Sequence, residues 1–294
     1  MAASGGDTRF VLTPHDGFLF SDYPMRLKKR LSAGPLLRAA DTVVALSDAE
    51  RSVVIERYDL PPDKVQVVPN GVDASVFHPS AAPPPAHDYI LYAGQLERFK
   101  GLDYLFEAMV AIRKSFSSTR LVLAYHTHAE LPHYRALAVR FGIEDAVVFG
   151  GPKNPAQLAE LYAGAAVLVQ PSLVEALSGV VLEAMSCGAA IVATDVGGIR
   201  TQLDDSSGII VRPRDSSALA HSVCLLLANP ALRLEMGSAA AAKARLKFRI
   251  STMVDNHLRL YEGLLREKPS RSAVRRVMLG AIGKLCLDQQ RTEA

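Results

Sequence analysis

Short runs of consecutive apolar residues recur along the chain, and longer segments with helical spacing separate them. Most of these runs are continuous rather than alternating, which is typical of parallel strands that are buried on both faces of a sheet. The predicted strands are residues 10–13, 42–46, 65–68, 89–93, 121–125, 147–149, 167–170, 190–194 and 209–211. The predicted helices are residues 25–38, 48–57, 103–114, 131–141, 155–163, 179–187, 216–228 and 230–248. This alternation predicts the α/β class, with open, doubly wound parallel sheets.

A cluster of prolines divides the chain. Residues 79–86 contain four prolines, and such a segment can form neither a helix nor a central strand, so it is interpreted as a linker. Six predicted strands follow the linker and three precede it. We therefore predict a partial Rossmann-like domain over residues 1–80 and a complete one over residues 81–248. Residues 249–294 are predicted to be helical, with the first helix crossing back to the N-terminal domain.

Composition narrows the range of functions. The net charge of +3 over 294 residues is too small to favour a nucleic-acid partner. No apolar run is long enough for a transmembrane helix, and the first residues do not have the pattern of a signal peptide. The three cysteines show no CxxC spacing, which favours reduced thiols. These features predict a cytoplasmic protein.

The segment 171–188 follows a predicted strand and contains a predicted helix that opens near Gly179. Ligands of open α/β sheets bind at the carboxyl ends of the strands, and the N–H groups of a helix start can hold a diphosphate. Glu175 lies in the turn and Glu183 in the helix, and each carboxylate could accept hydrogen bonds from two sugar hydroxyls. Spacing alone leaves two interpretations open: a nucleotide-sugar site, or two solvated glutamates.

The segment 171–188 resembles the E-x7-E signature of retaining GT-B glycosyltransferases, in particular glycosyltransferase family 4. Further segments resemble elements of that family in the same order, and together they cover about residues 39–265. These segments are Asn70-Gly71-Val72-Asp73, Gly94-Gln95-Leu96 with Lys100-Gly101, Ala193-Thr194-Asp195-Val196-Gly197-Gly198, and residues 208–213. The resemblance implies a GT-B fold in which residues 1–80 are part of the acceptor-side domain and residues 81–248 bind the nucleotide sugar.

The resemblance also implies roles for individual residues. Glu183 would bind the ribose hydroxyls of the donor, and Glu175 would hold the transferred sugar. The backbone of Ser178, Gly179, Val180 and Val181 would contact that sugar and the diphosphate, beside Gly94 and Gln95. Lys100 would neutralise the leaving diphosphate, and His15 would face the donor sugar from the N-terminal domain. The implied reaction is glycosyl transfer with retention to a saccharide or lipid-linked acceptor, with no metal or other cofactor.

Several positions depart from the family pattern. Gln95 stands where the family usually has an arginine that pairs with the phosphates, and Ala176-Leu177-Ser178 replaces Gly-Phe-Gly. His126, His128 and His133 could suggest a metal, but His133 falls in a predicted helix and the family needs none. The N-terminal domain is shorter than the family fold requires.

Two functional classes therefore stay open. One is a sugar transferase of cell-envelope, exopolysaccharide or glycolipid synthesis. The other is a non-catalytic or split-enzyme subunit that binds a nucleotide sugar and needs a partner chain to complete the N-terminal domain. A peripheral contact with the membrane is a further expectation. It would be made by Arg26 and residues 28–30 together with an apolar stripe and basic residues in the segment 274–285.

Overall fold

The computed structural model describes residues 9–15, 17, 27–80, 88–127 and 129–266. The predicted linker, His128 and the stripe at 274–285 lie outside these residues, apart from the start of the linker at residues 79 and 80. Two parallel sheets organise the described chain. The predicted α/β class is confirmed.

The smaller sheet belongs to the N-terminal part of the chain. It consists of β1 (Val11–Leu12), β2 (Thr42–Ala45) and β3 (Val65–Val67), in the order β1-β2-β3. The helices α1 (Leu27–Ala39) and α2 (Asp48–Tyr58) connect these strands. Ser47 caps α2 by accepting a hydrogen bond from the N–H of Glu50, which places the helix start directly after β2. We call this part of the molecule the N-terminal unit.

The larger sheet has six parallel strands in the order β6-β5-β4-β7-β8-β9. The strands are β4 (Tyr89–Ala93), β5 (Arg120–Ala124), β6 (Val147–Gly151), β7 (Val167–Gln170), β8 (Ile191–Thr194) and β9 (Ile209–Val211). The order reverses between β4 and β7, which pair with each other. In open α/β sheets a ligand crevice forms at such a reversal, at the carboxyl ends of the strands.

Helices cover both faces of the larger sheet. They are α3 (Leu102–Ser115), α4 (Leu131–Phe141), α5 (Pro155–Gly164), α6 (Gly179–Ser186), α7 (Ile199–Gln202), α8 (Ser216–Ala228) and α9 (Pro230–Lys247). Alternate residues of each strand point to opposite faces, so Ile90 and Tyr92 pack with α3 and α8, whereas Leu91 and Ala93 pack with α6. The continuous apolar runs of the sequence are explained by this burial on both faces. We call this part the C-terminal unit.

The predicted elements agree with the observed ones to within two residues at each described end. α7 was not predicted, because its four residues are too few to show helical periodicity. No single described helix is long and apolar enough to cross a membrane. The consecutive helices α8 and α9 together could span a membrane by length and composition only, and the angle between them is 104°.

Two segments of the chain, residues 71–72 and 248–250, lie side by side where the N-terminal unit joins the C-terminal unit. The N–H of Val72 donates to the carbonyl of Phe248, and the N–H of Ile250 donates back to the carbonyl of Val72. A Cβ on Gly71 would lie 2.5 Å from Cα of Ile250, so only glycine fits there. The helix α10 (Ile250–Arg266) starts at this pairing. Val72 and Phe77 belong to the core of the C-terminal unit.

Candidate functional site

Three loops meet at the carboxyl ends of β4, β7 and β8. The turn at Arg98–Lys100 accepts a hydrogen bond from the N–H of Leu173 through the carbonyl of Phe99, at 2.7 Å. Gly101 packs so closely on this loop that a Cβ would lie 2.1 Å from the carbonyl oxygen of Pro171. Gly101 also has φ +68°, which favours glycine. The loop after β4 is therefore held against the loop after β7.

The loop after β8 packs against the same segment. The N–H of Gly198 donates to the carbonyl of Ala176 at 2.7 Å, and a Cβ on Gly197 would lie 1.9 Å from the carbonyl oxygen of Glu175. Gly17 contacts the Glu175 backbone from the N-terminal unit, where a Cβ would lie 2.8 Å from its carbonyl carbon. The backbone around Glu175 is thus enclosed on several sides.

A cleft of about 280 Å³ opens at this junction. Both units line it, and its residues include His15, Asn70, Gln95, Lys100, Glu175 and Leu46. A larger groove of about 470 Å³ lies at the opposite edge, around the amino ends of β4, β5 and β6. Because open α/β sheets bind their ligands at the carboxyl edge, the smaller cleft is the candidate site.

Glu175 and Lys100 form the charged centre of the cleft. Nζ of Lys100 lies 2.6 Å from Oε1 of Glu175, and the two side chains are only 16% and 9% exposed. Gln170 Nε2 and Ser172 Oγ also donate to Oε1, each at 2.8 Å. All three donors converge on one carboxylate oxygen, Oε1.

The start of α6 presents backbone N–H groups, as the sequence predicts, but not all four predicted residues offer one. The N–H of Ser178 donates to Oε1 of Gln202 at 3.0 Å, and Gln202 Nε2 donates back to the Ser178 carbonyl. The N–H of Val181 donates to Oγ of Ser178, and its side chain is buried. First-turn N–H groups have no acceptor within their own helix, so Gly179 and Val180 carry the open donors.

Glu183 lies on α6 in a different environment. Its Oε2 accepts a hydrogen bond of 2.8 Å from the hydroxyl of Tyr162, which is fully buried. Burial raises the pKa of the Glu183 carboxyl above its usual value, and the Tyr162 hydrogen bond opposes this only in part. The same burial, with the charge of Glu183 beside it, raises the pKa of the Cys187 thiol to about 12. A ligand that donates hydrogen bonds to the Glu183 carboxylate would therefore stabilise its charged form.

Of the remaining predicted residues, Gln95 and His15 line the cleft. Gly94 has φ +140° at the end of β4, and the carbonyl of Gln95 accepts a hydrogen bond from the Tyr92 hydroxyl at 2.6 Å. His15 is exposed on the cleft wall with φ +33°. His133 lies 2.9 Å from Asp103 and 3.4 Å from Arg98. Among the described residues, no group of three His, Cys, Asp or Glu side chains could hold a metal ion.

Four residues of this site were not predicted: Gln170, Ser172, Gln202 and Tyr162. The sequence held a signal for Gln170, since it is a polar residue that ends an apolar run. In the structure Gln170 is 2% exposed. Its Oε1 is buried without a hydrogen-bond partner in the described structure. Gln202 lies 24 positions from Ser178, so no local pattern connects the two.

Comparisons with known proteins identify the family of this chain. Residues 87–229 match the family model of glycosyl transferases group 1, and residues 1–76 match that of glycosyltransferase family 4. A D-inositol 3-phosphate glycosyltransferase of Acidothermus cellulolyticus is 31% identical over 84% of this chain and 58% of its own length. One of Segniliparus rotundus is 30% identical over 83% of this chain and 57% of its own. The chain thus spans somewhat over half the length of these relatives.

Solved structures share the fold. A sucrose-phosphate synthase of Thermosynechococcus elongatus has a TM-score of 0.78 and 26% identity, over 86% of this chain and 67% of its own. The Anabaena protein HepE, in complex with UDP and glucose, has a TM-score of 0.76 and 22% identity, over 86% of this chain and 71% of its own. The arrangement of the two sheets is therefore the GT-B fold.

Proposed function

Because residues 87–229 belong to the glycosyl transferases group 1 family and residues 1–76 match glycosyltransferase family 4, we propose that this chain binds a nucleotide sugar and takes part in transferring its sugar. The observation that carries the proposal is the pairing of Lys100 with Glu175 in a cleft whose lining reaches Leu177, two positions before α6 begins. The donor class is suggested by the UDP bound to HepE. The acceptor would be a saccharide or a lipid-linked molecule.

The diphosphate of the donor would lie between Lys100 and the open N–H groups of Gly179 and Val180. The N-terminal end of a helix carries a partial positive charge, and Lys100 adds a full one. Gln95 at the cleft wall would donate a hydrogen bond to a phosphate oxygen but adds no charge. Glu175 anchors Lys100 through Oε1 and would accept the hydroxyls of the transferred sugar through Oε2.

Glu183 would bind the ribose. Two neighbouring ribose hydroxyls can donate to one carboxylate, and this would replace the hydration that burial removes. Tyr162 fixes the carboxylate through Oε2, so the orientation toward the ligand is set before binding.

The chemical step requires charge stabilisation rather than a protein nucleophile. The bond between the anomeric carbon and the diphosphate oxygen breaks, and its electron pair stays on the leaving diphosphate. The acceptor oxygen forms a bond to the same face of that carbon, and its proton passes to the diphosphate, so the configuration is retained. Lys100 and the start of α6 would stabilise the growing negative charge. His15 would face the sugar. No metal or cofactor takes part in this scheme.

The N-terminal unit supports a second candidate function. Its sheet has only three strands in the described chain, and the acceptor would be held mainly by that unit. With a neutral Gln95 as well, the chain could serve as a nucleotide-sugar-binding subunit of a split enzyme. In either case we place the protein in the cytoplasm, in cell-envelope, exopolysaccharide or glycolipid synthesis. A peripheral contact with the membrane stays a prediction. Arg26 and the segment 274–285 lie outside the described residues, and the side chains of residues 28–30 are not described either.

Calorimetric titration with UDP, GDP and ADP and with their glucose conjugates tests donor binding. Lys100→Ala should weaken the binding of the preferred diphosphate by about 1.5–3 kcal/mol, the range for a hydrogen bond to a charged group. Lys243→Ala is the matched control, since Lys243 also lies 2.6 Å from a carboxylate, that of Asp204, far along the chain from the cleft.

Two results would contradict the proposal: no binding of any nucleotide, or an equal loss in both variants. Transfer is tested separately, with a glycosyl acceptor and NMR detection of the anomeric proton. A product of inverted configuration would reject the retaining scheme while leaving donor binding intact. Donor binding without transfer would favour the second candidate function.

A further inference from the structure

Gln170 is a polar residue at the end of β7, a strand with neighbours on both sides. Residues 167–169 before it are fully buried, and Gln170 itself is 2% exposed. Its Oε1 has no hydrogen-bond partner in the part of the chain that the structure describes. A buried acceptor without a partner costs free energy, so stability alone would favour an apolar residue here. The amide is therefore explained by a role other than stability.

Glu175 sets the orientation of this amide. Nε2 of Gln170 donates to Oε1 of Glu175 at 2.8 Å and to Oγ of Ser172 at 2.9 Å. An ionised carboxylate accepts hydrogen bonds and donates none, so the amide must turn its N–H groups toward Glu175. The unpartnered Oε1 of Gln170 is the consequence of that orientation.

The three donors to Oε1 of Glu175 differ in mobility. Gln170 lies at the end of a strand, and the backbone of Ser172 is held by Thr194, whose Oγ1 donates to the Ser172 carbonyl at 2.5 Å. Lys100 reaches the same oxygen from the loop after β4 with a long, flexible side chain. A carboxylate has about four lone-pair sites on its two oxygens, so three donors on one oxygen must share it. Lys100 is the donor that can turn away.

We propose that Gln170 is a positioning residue for the ion pair of Lys100 and Glu175. By donating to Oε1 it weakens the hold of Glu175 on Lys100, and it keeps the carboxylate in place when Lys100 turns toward the diphosphate of a bound nucleotide. Gln170 acts through these two side chains and is not among the residues that line the cleft. This inference rests on the proposed function, which places the diphosphate beside Lys100.

A double-mutant cycle tests this role by calorimetry with UDP, which lacks the sugar that Glu175 would hold. Gln170→Met fills a similar volume without the N–H groups and should weaken UDP binding by about three- to tenfold, the range for one hydrogen bond. In a chain that already carries Lys100→Ala, the same substitution should change UDP affinity by less than about twofold, because its route to the ligand is gone. An equal loss in both backgrounds, or no loss in either, would overturn the inference.

Thermal unfolding separates positioning from structural support. Gln170→Met should unfold at the same temperature as the unaltered chain or at a higher one, because a buried oxygen without a partner is removed. Thr194→Val is the matched control, since it removes another buried hydrogen-bond donor beside Ser172. Any effect of Thr194→Val on UDP affinity should be equal with and without Lys100→Ala. A lower melting temperature of Gln170→Met, with a loss of affinity in both backgrounds, would mean a structural role.

Acetylation of lysines in the ligand-free chain provides a readout that needs no nucleotide. With limiting acetic anhydride and mass spectrometry, Lys100 is compared with Lys243, which also lies 2.6 Å from a carboxylate and has a side chain 13% exposed. In Gln170→Met, Glu175 should hold Lys100 more tightly, and acetylation of Lys100 relative to Lys243 should fall about threefold. An unchanged ratio would overturn the inference even if UDP binds. A lowered ratio in a chain that binds no nucleotide would reject the proposed function and support the coupling of Gln170 to Lys100.

Discussion

The two parallel sheets of this molecule differ in how much core each of them builds. Among the described residues, the N-terminal unit buries a cluster of seven apolar residues around β1, β2 and β3. The C-terminal unit buries clusters of twenty-eight and twenty-three residues on the two faces of its sheet, and the second cluster includes Leu46 of the N-terminal unit. Both units follow the same pattern of strand and crossover helix, so they differ in the number of described strands, three against six. Burial on both faces of six strands supports a self-sufficient domain, whereas three strands support far less.

The two units also differ in what they contribute to the proposed donor site. The C-terminal unit supplies Lys100, Glu175, Gly179, Val180 and Glu183, and their supports come from the same unit. The N-terminal unit contributes His15, Gly17 and Leu46 to the cleft wall. We therefore expect donor binding to follow the stability of the C-terminal unit, and transfer to depend on the N-terminal unit.

The largest expected effect comes from a matched pair of core substitutions, Leu91→Ala and Leu37→Ala. Both leucines are fully buried, one in each unit. Leu91→Ala should lower the free energy of unfolding of the C-terminal unit by about 2–5 kcal/mol, through lost burial and the cavity left behind. Leu37→Ala should accelerate hydrogen exchange only in the N-terminal unit, at Val43 and Val44. Equal destabilisation of both sheets by Leu37→Ala would show that the two units unfold together.

A second pair of variants tests the loop contact that places Lys100 in the site. Gly101→Ala should destabilise the C-terminal unit by about 2–4 kcal/mol, because the methyl group meets the Pro171 carbonyl and φ is positive. UDP affinity should fall with it. Gly142→Ala is the control, with φ +64° and no atom within 4 Å of its Cβ, and should cost about 1 kcal/mol. Urea denaturation measures both. Similar costs would mean that the backbone conformation alone matters.

The pH dependence of stability provides a third test, through Glu50 of the N-terminal unit. Its carboxylate is buried, Oε2 accepts from the Leu46 N–H at 2.8 Å, and Oε1 has no partner in the described structure. Burial raises the pKa of Glu50 from 4.5 to about 7. The folded state therefore holds this proton at pH values where the unfolded chain has lost it, and stability falls as the pH rises from 4.5 to about 7.

The loss should reach about 3.5 kcal/mol at most, given about 1.4 kcal/mol for each pKa unit. Hydrogen exchange of the N-terminal unit between pH 5 and 8, corrected for the intrinsic rates, measures it. Glu50→Gln should flatten the dependence, because glutamine carries no titrating proton. A variant with the same slope as the unaltered chain would exclude Glu50 as the cause.

The smallest effect concerns Glu183, the corresponding buried carboxylate of the C-terminal unit. Glu183→Ala should weaken UDP binding by about 1–3 kcal/mol through the lost ribose contacts. Because its pKa is raised in the free protein, UDP affinity should increase as the pH rises through that pKa, and Glu183→Gln should remove this dependence. Glu160→Ala, on the exposed side of α5, is the control for calorimetry. Unchanged affinity in Glu183→Ala would reject the ribose role.

The sequence was sufficient for the order and type of the elements. The run Ile90-Leu91-Tyr92 could be assigned to a parallel strand because burial on both faces requires apolar residues at successive positions. The start of α6 could be located from Ser178 and Gly179, which are residues of helix caps and turns. Glu175 could be named as a candidate from its turn beside the start of α6, with two interpretations left open. Lys100 and His15 could be named only through resemblance, since they lie 75 and 160 positions from Glu175.

The sequence by itself determined the local structure, because helical and strand periodicity depends on residues close together in the chain. Only the tertiary structure decided which N–H groups of α6 stay open for a ligand. That choice depends on Gln202, which holds Ser178 from another loop. The tertiary structure also decided that one oxygen of Glu175 receives Lys100, Gln170 and Ser172 together. Hydrogen bonds across such separations form where loops from different strands meet, and no local pattern of residues records which loops those are.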